Sequence, residues 1–150
     1  MVENSSLSQT NYNSVPLGNT EELKAAEKFV IEAAQYLFNS PHIQDVRRDD
    51  ALRFIIHWMS DTKDYTYSID ETVAKFAKRD TELIGLYMAA MALYSLQHPD
   101  AAADPFKLKL GAVNHLLNYC EIESNGVKMS KHLRNLLAAR KNGKLEQKLK

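Results

Sequence analysis

From Leu83 to Leu96 the chain is almost wholly apolar or small, with Ile84, Leu86, Tyr87, Met88, Met91, Leu93 and Tyr94 set among Gly85, Ala89, Ala90 and Ala92. A helix that is apolar around most of its circumference has no face to give to water and must be buried. This stretch therefore predicts a central helix with the rest of the chain packed round it. Gly85 and the alanines predict close approach by its neighbours, and His98-Pro99-Asp100 ends it.

The remaining segments read as the shell. Asn19, with Glu22 three residues on, opens a first helix whose Leu23, Ala26, Val30, Ala33 and Leu37 recur at three and four residues, until Asn39-Ser40-Pro41 stops it. A second helix spans about Val46 to Ser60, with Leu52, Ile55, Ile56 and Met59 as its apolar face. Tyr65, Tyr67 and Ile69 alternate with Thr66 and Ser68, which predicts a short extended connector. Ser68 or Asp70 caps a short third helix to about Ala77. Asp104-Pro105 starts a fifth helix that runs to about Cys120. Ser130 opens a sixth, closed by Asn142-Gly143.

Five glycines and four prolines in 150 residues argue against a many-turn β fold, and 45% hydrophobic with 25% charged residues is ordinary globular composition. The expectation is an all-α, compact, single-domain bundle of about six helices around the buried Leu83–Leu96 helix. Residues 1–18 are expected to be a polar, flexible leader, 19–143 the helical domain and 144–150 a basic tail. No segment matches another at a spacing of about 34 residues, which disfavours a helical repeat array. The polar leader has neither a basic nor an apolar signal region, so a cytoplasmic protein is expected; export is the alternative if Met1 marks a mature end.

Several chemistries are disfavoured by what the residues do not spell. The five glycines are isolated, so neither a phosphate-binding loop nor a dinucleotide fingerprint is present. No Gly-x-Ser-x-Gly elbow exists. Cys120 is the sole cysteine, which excludes an internal disulfide and a cysteine-based zinc site. His42, His57, His98, His115 and His132 never fall within five residues of one another, so no metal site and no cofactor is expected. No apolar run approaches the roughly 18 residues of a membrane span.

Two places could carry function. His57, Trp58, Asp61, Asp64, Tyr65 and Tyr67 surround the connector and could form a ligand pocket or an enzymatic one, with His57 as a base oriented by a carboxylate. The plain reading of the same residues is a helix end with aromatic core and rim. The second place is the charge layout. From Lys128 to Lys150 there are eight basic residues against Glu146 alone, while residues 1–127 hold eleven basic and eighteen acidic residues. Lys128, Lys131, Arg134, Arg140, Lys141 and Lys144 could form a basic face for a protein partner with an acidic surface. No aromatic residue lies in this segment to stack bases, so nucleic acid is disfavoured.

Phe54 to Asp70, Leu86 to Met91 and Lys131 to Leu145 resemble segments of small helical proteins of Bacteroidetes-type bacteria. That group has no assigned activity, so the resemblance implies a helical fold, often on exported proteins, and no site residue. The function expected from the whole sequence is a non-catalytic helical binding domain with a basic C-terminal helix and no catalytic residue. The alternative is the pocket around His57.

Overall fold

A computed structural model describes residues 10–150, and among these every regular element is a helix. In chain order they are α1 (Thr20–Ala25), α2 (Glu27–Phe38), α3 (Val46–Asp61), α4 (Glu71–Arg79), α5 (Ile84–Gln97), α6 (Pro105–Glu121), α7 (Lys131–Lys141) and α8 (Leu145–Leu149). Short 3-10 turns stand at Tyr12–Ser14, Thr81–Leu83, Ala101–Ala103 and Glu123–Asn125.

Most helices start where a short polar side chain can take up an orphan N–H. Asn19 accepts from Glu22 N at 2.9 Å, and Glu22 reaches back to Gly18 N at 2.7 Å. Asp45 accepts from Arg47 N, Asp70 from Thr72 N, Asp104 from Phe106 N and Ser130 from Leu133 N, all at 2.8–3.0 Å. At the end of α7, Gly143 has φ of 72°, a region that favours glycine. There Gly143 N bonds Arg140 O and Lys144 N bonds Ala139 O, so two last-turn carbonyls are satisfied while the chain reverses.

Helix α5 is the centre. Leu86, Tyr87, Ala89 through Leu93 and Ser95 are buried, and the helix packs against α2, α3, α4 and α6. Two glycines set the spacing. A Cβ on Gly111 of α6 would lie 2.2 Å from the Tyr94 ring, and one on Gly85 would lie 2.4 Å from Leu52 Cδ2. The buried Ser95 hydroxyl donates to Ala92 O and bonds the Tyr67 hydroxyl at 2.7 Å, so this polar atom in the core is satisfied.

The structure departs from the sequence expectation in four places. The single helix expected from Asn19 to Asn39 is two, α1 and α2, joined at Ala26, whose backbone stays near helical values (φ −76°, ψ −12°), so the apolar stripe runs through both. Of the expected leader, residues 1–9 lie outside the described residues, but residues 10–18 pack against the fold. Tyr12 stacks on Phe54 with ring centroids 5.1 Å apart, and its hydroxyl donates to Glu32 at 2.9 Å. Ile69 does not share the inward side of Tyr65 and Tyr67: it is 75% exposed, because the chain there turns into the Asp70 cap. The expected basic tail, read as at most one frayed helical turn carrying Leu145 and Leu149, is the docked helix α8, because those two leucines, one turn apart, are both buried beside α7.

Candidate functional site

None of the three cavities described is lined by the residues expected to form a pocket at the connector. Trp58 is fully buried, and its indole N–H donates to Leu23 O at 3.0 Å. Tyr65 and Tyr67 pack on it with ring centroids 6.1 and 6.4 Å away. Burial raises both tyrosine pKa values, with Glu27 and Asp64 adding to the shift of Tyr65. His57, Asp61 and Asp64 lie outside this cluster. His57 Nε2 meets Asp61 at 3.1 Å across one helical turn, with the side chains 59% and 45% exposed. Asp64 is exposed in the loop that follows. The aromatic half of the set is spent on packing and the ionisable half faces water.

The expected basic face is also divided. Arg140 is bound to Glu121 at 2.7 Å and to Asn118 at 2.8 Å, so its charge is answered locally. Arg134 is exposed and donates to Met129 O. Lys128 and Lys141 are exposed, and Lys144 borders a shallow depression beside Ala138 and Lys148. Lys131 alone of the six lines the largest concavity described.

That concavity is a cleft of about 620 Å³ between α4, α6, α7 and α8. Six cationic side chains line it: Lys75 and Arg79 from α4, Lys109 from α6, Lys131 from α7, and Lys148 and Lys150 from the C-terminal segment. Two carboxylates, Asp70 and Glu71, stand against them, and Asp70 pairs with Lys109 at 3.3 Å. Leu136 and Leu149 give it apolar surface, while Thr72, Ser130 and Asn135 add neutral polar groups. Cations gathered round a concavity with low-dielectric walls concentrate positive potential there.

His132 joins this cleft to the core. Its Nδ1 meets Asp80 Oδ2 at 2.7 Å, and both side chains are largely buried, at 13% and 7% exposure. Its ring lies edge-on to Phe76, 5.0 Å between centroids. Phe76 and Asp80 thus fix the ring from behind, with Nδ1 committed to the carboxylate. No hydrogen bond from the described residues reaches Nε2.

A smaller hollow of about 280 Å³ between α5 and α6 is lined by Tyr94, His98, Asn114, His115 and Asn118. Burial lowers the His115 pKa. Among the described residues no group of three or more His, Cys, Asp or Glu is placed to hold a metal ion, and no helix is long and apolar enough to cross a membrane.

Sequence reasoning missed Lys75, Arg79, Lys109 and Asp80, and it counted Lys148 and Lys150 in the basic C-terminal segment without placing them on the expected face. One signal was available: Lys75 and Arg79, four apart, share a face of α4. The Asp80–His132 pairing, across 52 residues, had none. Comparison with family models, curated proteins and solved structures finds no match to this chain.

Proposed function

We propose that this chain is a non-catalytic helical binding domain whose working surface is the cationic cleft, and that its partner is a protein presenting an acidic segment. The observation that carries this reading is the convergence of six cations from four parts of the chain on one concavity with two carboxylates. Like charges brought together without equal counter-charge repel one another, and an anionic ligand relieves that repulsion. The cleft volume suits a few side chains of a peptide. Besides His132 no aromatic side chain lines it, which favours an acidic protein segment over stacked bases.

The test is fluorescence anisotropy with labelled peptides of equal length, one rich in Asp and Glu and one rich in Lys. Binding of the acidic peptide alone is expected, weakening as salt rises from about 0.02 M to about 0.15 M as exposed charges are screened. The double substitution Lys75→Glu with Arg79→Glu is expected to abolish it while leaving the melting temperature nearly unchanged, since both residues are solvent-facing. Equal binding by the double variant, or no binding by the natural chain, refutes the proposal. A single-stranded oligonucleotide of the same charge binding more tightly than the peptide assigns the cleft to nucleic acid instead.

A further inference from the structure

Resting on the reading of the cleft as the working surface, we infer that α8 is its movable wall: a strap that like charge loosens when the cleft is empty and a bound anion draws shut. Helix α8 has five residues, far short of the roughly 12 at which a helix begins to hold its own shape in water. Its folding and its docking are therefore one event. Leu145 and Leu149 are its only buried residues, and it packs chiefly on α7. Two concavities border the seam between α7 and α8: the cleft, and a depression of about 420 Å³, with Asn135 and Lys148 lining both. The turn before α8 is equally unencumbered. Gly143 has φ of 72°, and a Cβ built on it would meet nothing within 4 Å, so no neighbour clamps this hinge.

Electrostatics supplies the force. Lys148 and Lys150 bring two of the cleft's six cations, and Lys75, Arg79 and Lys131 line the same concavity from α4 and α7. Only Lys109 is paired there, with Asp70 at 3.3 Å. Like charges around one concavity repel, and the wall with the least packing yields first. An anion in the cleft reverses the force on Lys148 and Lys150, and it favours the docked helix because a ligand stabilises the state it binds best. Lys150 Nζ, 5.8 Å from the centre of the Phe106 ring of α6, gives the docked strap a latch.

The experiment follows amide hydrogen exchange of the full chain by NMR, comparing the Lys148 amide, bonded to Lys144 O at 3.0 Å, with the Leu136 amide of α7. In the free chain Lys148 is expected to exchange at least about tenfold faster. Lys75→Glu with Arg79→Glu alters exposed residues of α4 and leaves α8 and its leucines untouched. That double variant is expected to slow Lys148 exchange about fivefold, as attraction replaces repulsion. Raising salt from about 0.02 M to about 0.5 M should slow it about twofold in the natural chain and speed it in the variant, because screening removes repulsion in one and attraction in the other. A peptide rich in Asp and Glu should slow it about tenfold in the natural chain, and a Lys-rich peptide should not. Lys148 exchanging as slowly as Leu136 in the free chain overturns the strap. So does exchange that ignores both salt and the charge reversal; if the acidic peptide still binds, the cleft keeps its role with a fixed wall. A peptide that binds without slowing Lys148 overturns closure alone. If no peptide binds but salt and charge reversal act as stated, the acidic-segment reading falls and the charge-loosened strap stands.

Discussion

The connector after α3 and the cleft beside α7 each hold a histidine paired with an aspartate, yet the two places have opposite fates. At the connector, Trp58, Tyr65 and Tyr67 turn inward and fill space, and the polar atoms of Trp58 and Tyr67 are answered by Leu23 O and Ser95. His57 and Asp61 are left on the surface, free to pair with each other and with water. At the cleft, the histidine and carboxylate are the buried groups, and the cations in front of them outnumber the carboxylates, with Lys109 paired to Asp70. A chemically suggestive string of residues is no site if packing consumes it. A scattered set becomes one when packing holds a gap open.

The strongest way to break that contrast is to remove Trp58. Trp58→Ala should cost about 3–5 kcal/mol, from a fully buried indole and its lost hydrogen bond, read by urea unfolding. Peptide affinity of the folded fraction should not change. A cost under about 1 kcal/mol would mean the connector is not core.

Next comes Leu149→Ala, which removes one of the two apolar anchors of α8. We expect about 2 kcal/mol of destabilisation and weaker peptide binding, because Lys148 and Lys150 leave the cleft wall with the helix. Loss of stability with unchanged affinity would show that α8 closes the core without serving the cleft.

A smaller effect is set by pH. His42 and His115 have lowered pKa values, in each case chiefly through burial, with Arg48 adding for His42, whose buried Nδ1 has no hydrogen-bond partner among the described residues. The unfolded chain therefore binds more protons than the folded one below the ordinary value of 6.5. The stability present above that value should fall as pH drops from about 7 to about 5. His115→Gln should flatten the melting-temperature slope across that window; an unchanged slope would assign it to other groups.

The smallest effect belongs to the residue that looked most like a catalyst. His57→Ala breaks an exposed contact to Asp61 across one helical turn and should shift stability by no more than about 0.5 kcal/mol. A shift above about 1.5 kcal/mol, or a changed peptide affinity, would return the connector to consideration.

Much of the fold was legible because local rules set it. The apolar circumference of Leu83–Leu96, the caps at Asn19, Asp104 and Ser130 and the stop at Gly143 each depend on residues a few positions apart. Cys120 likewise ends an apolar face, and burial pushes its thiol up to about 12, away from reactivity at neutral pH. The break at Ala26 and the docking of Leu145 and Leu149 were less legible, since short amphipathic pieces gain their order from what they pack against.

The candidate site was the least legible part. Of the six residues in the expected basic face, only Lys131 lines the cleft, because a run of charge along the chain says nothing about which side of a helix each member occupies or what waits opposite. Arg140 found Glu121, and Lys131 found Lys75 and Arg79 across the gap. The amino-acid sequence by itself determined that this chain is helical, where most helices begin and end, and that one helix must be enclosed. Those properties follow from hydrogen bonds and apolar spacing within a few residues. Only the tertiary structure decided that Asp80 would stand behind His132 and that α4 and α7 would frame an open cationic cleft. That choice belongs to long-range packing, where residues 52 apart become neighbours.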